Sequence, residues 1–485
     1  MIAVLVTALF GVAAAGAGAL AAQEPVPAAA TAASGDTIRL TLESAIARAV
    51  SEGQEVRLAR SFVDEAEAQV RLVRAEALPQ ISGTVGYTRT FESAFSGGGG
   101  FELPDSLRFE PDSTAPLAER VSYLERNAAN AGLGGLGSLF GNLPFGQENA
   151  WTATVNGSQS LFSGGKFSAG IRIARELVES ARLSLEEETA EVELQVRTAY
   201  TRASLAQELV AISQAAVEQA TRFLATARLR REAGTASELE VLRAEVSLAN
   251  LQPQLVEATN AAELATLDLK RLIDLPLEQP LLLTTPLTAP DATADSLATA
   301  AEVLANRAVI DAAERQVRIR EYEEKVARAD YFPSLKLNAA YGRQLFPTSI
   351  FSLDEPWRTD FTAGLTLSVP IFNGMRTGAN VQIARVNTMR DRLRLAQLRE
   401  GVQLEWENAR SERSRARVSI EARGLTVQQA QRVYDLTVLR YEQGLASQLE
   451  VTDARLALLQ ARTNLAQAVA DYHIANARVT RAAGR

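Results

Sequence analysis

The stretch RYEQGLASQLEVTDAR, Arg440–Arg455, decides how this chain is read, because it occurs twice. Residues Arg230–Glu245 read RREAGTASELEVLRAE, with Arg, Glu, Gly, Ala-Ser, Leu-Glu-Val and Ala at the same offsets. Gly234 and Gly444 set the offset at 210 residues. The same offset carries SLFSGGK (Ser160–Lys166) onto PIFNGMR (Pro370–Arg376). Farther upstream, ALPQISGTVGYT (Ala77–Thr88) matches YFPSLKLNAAYG (Tyr331–Gly342) at an offset of 254, so the first half holds 44 more residues between these markers. Internal repetition bounds a fold before any local signal does. It divides this chain into repeats over 22–274 and 293–485, joined at 275–292 by the Pro-rich LPLEQPLLLTTPLTAPDA.

Each half predicts the same order of elements. A short helix comes first (LTLESAIARAVSEG, then SLATAAEVLANR), with Thr41 or Ser44 as a hydroxyl cap in half one. A medium helix follows and stops by Pro79 or Pro333, since the residue before proline is pushed out of helical geometry. The apolar period then changes from 3.6 to 2. In DFTAGLTLSVPIF, Phe361, Ala363, Leu365, Leu367, Val369 and Ile371 share one face and Thr362, Gly364, Thr366 and Ser368 the other. Leu335, Leu337, Ala339 and Tyr341 alternate in the same way, as do Ile81, Val85 and Tyr87, and Trp151, Ala153 and Val155. That makes four strands per chain. After each Phe-x-Gly turn comes a proline-free helical run, about 166–232 and 375–442. At 1.5 Å per residue each is about 100 Å long, far beyond a globular helix. Gly234 and Gly444 end these runs, and second helices return over about 237–273 and 447–481. Pro253 is expected to kink the first.

Composition narrows the chemistry. The chain has 485 residues, a net charge of −8, no cysteine and a single histidine, His473. Thiol nucleophiles, disulfides and thiolate metal sites are excluded, and a histidine-based triad or metal site is disfavoured. The charge gives no reason to expect nucleic acid. His473 reads as a helix-surface residue. GLGGLG, within the extra 44 residues, lacks the strand–turn–helix context of a dinucleotide fingerprint. The apolar run at 1–21 ends in Ala-Leu-Ala and reads as a secretory signal peptide, although no Lys or Arg precedes its apolar core.

Helices this long must pack along other helices, and the small residues Ala454, Ala457, Ala461, Ala466, Ala468 and Ala470 allow close approach. Four two-faced strands cannot close a barrel alone, yet strands in lipid must close. Several copies sharing one barrel resolve this; three copies give twelve strands.

The duplication, the LPQISGTVGYT and FPSLKLNAAYG strands, the LFSGGK and PIFNGMR turns and the opening pair of stretches together resemble the outer membrane efflux protein family, the TolC-like channels. The resemblance implies a mainly α protein with β: a homotrimer whose twelve-stranded outer-membrane barrel, four strands per chain, continues as a long periplasmic α-helical barrel. It implies a passive conduit, not an enzyme, without cofactor or metal. Its partners are outer-membrane lipid, a periplasmic adaptor (membrane fusion) protein and an inner-membrane pump of RND, ABC or MFS type, in an efflux or type I secretion system. The two opening stretches become the periplasmic tips. Gly234, Thr235, Ser237, Gly444, Leu445 and Ser447 are the expected adaptor-docking surface. Glu450 and Asp453 match an acidic ring at the aperture, where half one carries Arg243 in place of Asp453. The family's Arg two residues after the second tip glycine is Ala446 here. Its bridge is therefore lost, and Tyr441 with Glu240 becomes the candidate contact holding the aperture. The Gly-rich insertion within 90–150 reads as an extracellular loop. A soluble or periplasmic coiled-coil scaffold or adaptor is the alternative, but it leaves the alternating strands unexplained.

Overall fold

The computed structural model describes residues 37–92, 109, 111–131, 148–289, 299–347 and 356–484, with positions 349, 350, 352 and 354 between. The expected signal peptide and the glycine-rich stretches at 96–106 and 132–137 lie outside the described residues. In chain order the elements are β1 (Ile38–Leu40), α1 (Leu42–Glu52), α2 (Gln54–Glu76), β2 (Gln80–Arg89), α3 (Leu117–Asn127), β3 (Asn149–Phe162), α4 (Lys166–Glu232) and α5 (Glu238–Leu272). Then come β4 (Leu281–Leu283), α6 (Ala300–Asn306), α7 (Ala308–Ala329), β5 (Ser334–Leu345), β6 (Arg358–Ser368), α8 (Arg376–Glu442) and α9 (Gln448–Ala482). The helices α4 and α8 are both 67 residues long, and α5 and α9 are both 35.

The described chain forms two compact units, and each takes segments from both sequence repeats. The first comprises residues 37–53, 195–289 and 416–474; the second comprises the described residues of 54–194, 299–415 and 475–484. The repeat seen in sequence is thus not a pair of separate bodies: the halves interleave.

In the second unit, β2, β3, β5 and β6 form one antiparallel sheet in that order. The register sets Val85 opposite Ala153, Val155 opposite Tyr341, and Tyr341 opposite Phe361. All the alternating apolar residues therefore share one face. That face is open: Ile81 is 75% exposed, Val85 64%, Phe361 68% and Leu365 65%. The other face carries Ser82, Thr84, Thr154, Asn156, Asn338, Thr362 and Thr366, with Thr84 and Thr154 joined through their hydroxyls at 2.6 Å. The strand expected to reach Ile371 stops at Ser368, because Pro370 cannot donate to a ladder. Met375, with φ of 64°, lies outside α8. The unit's helical core centres on Trp406, Val303, Val402, Val479 and Ala482. Beside it the buried Arg307 donates to Glu187 Oε1 (3.1 Å) and to the Arg481 carbonyl (3.2 Å), and Arg481 reaches Glu405 (2.6 Å).

In the first unit, Thr41 caps α1 with Ser44 at its third position, a reciprocal capping box. The Pro-rich connector contains β4, which pairs in parallel with β1. Buried Tyr200 fastens this pair, donating to Leu40 O (3.0 Å) and accepting from Thr285 N–H (2.9 Å). His473 Nε2 lies 2.8 Å from Thr288 O, so the one histidine also holds the connector. Ala454, Ala461, Ala466, Ala468 and Ala470 are buried, whereas Ala457 is exposed. The helix α5 runs through Pro253 as one element. Among the described residues no helix is long and apolar enough to cross a membrane.

Candidate functional site: the paired helical tips

Both tips lie in the first unit. Two residues past the ends of α4 and α8 lie Gly234 (φ 75°) and Gly444 (φ 76°), where the left-handed backbone suits a residue without Cβ. A Cβ built at either glycine meets nothing within 4 Å, so it is backbone conformation, not crowding, that requires glycine there. Thr235 N–H and Leu445 N–H return to the carbonyls of Arg230 and Arg440, each at 2.8 Å, closing equivalent turns.

The next helix starts also correspond. Ser237 Oγ accepts from Glu240 N–H, and Ser447 Oγ accepts from Glu450 N–H, both at 3.3 Å. At the second tip Glu450 completes a capping box, accepting from Ser447 N–H (3.1 Å) and Ser447 Oγ–H (2.9 Å). The Ser447 backbone bond, then its hydroxyl, lowers the Glu450 pKa from its ordinary value. Asp453 and Leu445 are exposed.

The two hairpins meet through Tyr441, which is 6% exposed. Its hydroxyl donates toward Glu240 Oε2 at 3.5 Å, the outer limit of a hydrogen bond. Burial first, and the Glu240 carboxylate second, raise its pKa and keep it a protonated donor. Three features at this contact were not read from the sequence. The Arg230 guanidinium lies over the Tyr441 ring, 4.8 Å from its centroid, and Arg230 also donates to Glu442 O at 3.4 Å. Phe223 packs on the same ring at 5.3 Å. Gln448 Nε2 donates to Glu240 O at 2.7 Å. The only available signal was that Arg230 stands four residues before its glycine, as Arg440 does, and the fold aims the two at different partners: Arg440 returns to Leu445 O.

Among the described residues the contacts that join the two tips are an aromatic ring, a guanidinium, a carboxylate and a carboxamide. No cluster of His, Cys, Asp or Glu suited to a metal occurs among the described residues.

The sequence matches the profile of the family described as Outer membrane efflux protein over residues 118–274 and 299–485. It is 27% identical over 359 residues to the fusaric acid resistance protein FusA of Burkholderia cepacia, covering 71% of this chain and 57% of that protein, so less than two thirds of that relative's length. It is 24% identical over 431 residues to the solvent efflux pump outer membrane protein SrpC of Pseudomonas putida, covering 86% of this chain and 79% of that one. Among solved structures, the fold is similar to the CmeC outer membrane channel of Campylobacter jejuni, with TM-score 0.72, 18% identity and coverage of 91% and 85%. It is also similar to the open state of the MtrE outer membrane channel of Neisseria gonorrhoeae, with TM-score 0.69, 18% identity and coverage of 91% and 88%. The repeated strands, the 67-residue helices and the paired glycine tips are thus those of a TolC-like fold, and the chain belongs to the outer membrane efflux protein family.

Proposed function

We propose that the protein is a passive outer-membrane conduit of a tripartite efflux or type I secretion system, gated at its paired helical tips. It is an outer membrane protein that extends into the periplasm. The observation that carries the channel reading is the four-stranded sheet. Its apolar face is open, its polar face is rich in hydroxyls, and β2 and β6 have no further strand beside them among the described residues. An open sheet edge is not tolerated in lipid. Three copies joined β6 to β2 close twelve strands, with Thr84, Thr154 and Thr366 lining water and Phe361 and Leu365 facing lipid. The open four-stranded sheet supports the homotrimer reading.

Energy comes from an inner-membrane pump reached through a periplasmic adaptor, and the conduit itself catalyses nothing. Gly234, Thr235, Ser237, Gly444, Leu445 and Ser447 form the surface on which the adaptor docks. The empty space around both glycines leaves their backbone open to a partner's tip. Glu450 and Asp453, repeated threefold, place six carboxylates at the aperture and favour cations there. With Ala446 in place of arginine, Tyr441, Glu240 and Arg230 hold the tips together. Photo-crosslinking in cells from Leu445 tests the docking surface: capture of an adaptor supports it, and capture of this protein's own chains alone contradicts it. Native mass measurement of the outer-membrane extract should give three copies; a monomer would remove the shared barrel.

A further inference from the structure

Arg455 is the least comfortable residue of the tips. It lies on α9, is 5% exposed, and points its Nη2 at Ser247 Oγ on α5. Its Nε has no hydrogen-bond partner, and no carboxylate among the described residues pairs with it. A guanidinium does not shed its charge at physiological pH. A buried charge without a counter-charge is strongly unfavourable, and the penalty falls on the packing that buries it. Burial accordingly lowers the Arg455 pKa.

The seam around it repeats the pattern. Seven residues earlier on α9, buried Gln448 donates to Glu240 O while its own Oε1 has no partner. Glu240 and Ser247 are also seven apart, so Gln448 and Arg455 are successive polar rungs of one heptad seam. Farther from the tip the seam turns apolar: Leu251 is buried there and Leu459 packs against its cluster. The two return helices are thus zipped by leucines above and held by under-satisfied polar groups toward the tip.

We propose that Arg455 is a built-in spring that opposes the packing of the second hairpin on the first, so that the closed tip is held by a small margin. Parting the hairpins returns the guanidinium to water. The Arg230–Tyr441–Glu240 contact holds; Arg455 pushes. This rests on reading the tips as a gate, and the test separates the two claims.

The chain has no cysteine, so the exposed pair Leu239→Cys and Leu449→Cys takes spin labels cleanly in the full-length protein in its native assembly. Pulsed EPR then reads the distance between hairpins, and single-channel recording reads the gate. Arg455→Met removes the charge and Ser247→Asp neutralises it. These are chemically opposite changes, and both should raise the packed-to-parted ratio by roughly tenfold or more. Ser247→Ala, which strips from Arg455 its only hydrogen bond among the described residues, should lower it, and Arg455→Lys should stay near wild type. Parting of the hairpins in Arg455→Met, or no change in both Arg455→Met and Ser247→Asp, would overturn the spring. A shift in distance without a change in conductance would keep the spring and sink the gate reading.

Discussion

The two tips share a turn but not a glue. Hairpin one closes on itself: Arg228 pairs with Glu245 at 2.7 Å and Arg231 with Glu238 at 3.7 Å, over a small core of Leu224, Ala227, Val241 and Ala244. At the four equivalent positions hairpin two carries Val438, Arg455, Tyr441 and Gln448. None of its three polar members pairs within its own hairpin. Tyr441 and Gln448 turn to Glu240, and Arg455 turns to Ser247. The positions that staple one hairpin have become, in the other, the contacts that lean on its neighbour. Hairpin one is therefore stapled within itself, whereas the polar residues of hairpin two at these positions contact hairpin one.

The sharpest way to break this comparison is Tyr441→Ala. It removes a buried ring, the Arg230 contact and the Glu240 hydrogen bond together, and should loosen hairpin two by about 3 kcal/mol. Its counterpart Arg231→Ala is exposed and should change hairpin one by less than about 0.5 kcal/mol. Amide exchange across 444–452 and 234–242 reads both, and equal effects would mean that the hairpins are not differently held.

Next in size are Gly234→Ala and Gly444→Ala. Each forces a Cβ onto a left-handed backbone with open space around it, at a cost of about 1 kcal/mol. The two costs should match. A much larger loss of export for one, at equal stability, would assign that glycine to the docked partner.

Arg228→Ala is smaller still. Its pair is about half exposed and contributes about 0.2–1 kcal/mol, fading as salt rises. Double-mutant cycles with Glu245→Ala at low and high salt measure it, and no equivalent coupling should appear between positions 438 and 455. Acid sharpens the contrast further. The pKa of Glu450 is lowered from 4.5 in the folded tip, so its stabilisation is full above pH 4.5 and is lost as pH falls through the depressed value. Tip two should lose exchange protection in that window before tip one, whose Ser237 cap is not completed by a carboxylate.

Much of this was legible before any coordinates. Period-two alternation at Phe361, Ala363, Leu365 and Leu367 marked β6, and glycine at 234 and 444 marked both tips, because strand faces and left-handed turns are local demands on residue type. The residues missed are those whose role depends on what lies opposite. Ile38–Leu40 and Leu281–Leu283 are too short to show a period, and only their pairing makes them strands. Arg230 and Tyr441 are more than 200 residues apart, and nothing in either neighbourhood announces a stacked pair. Arg455 looks like any arginine on a long helix. Its burial is set by the constant offset of 208 between α5 and α9 at Glu240–Gln448 and Ser247–Arg455, which differs by two from the sequence repeat.

The most direct test of the account is single-channel recording of the reconstituted protein in two double variants. Arg230→Ala with Tyr441→Ala releases hairpin two from hairpin one and should raise conductance severalfold. Arg228→Ala with Arg231→Ala removes both staples of hairpin one and should leave conductance near wild type. A conductance rise in the second and not in the first would contradict the claim that the gate is held where hairpin two leans on hairpin one.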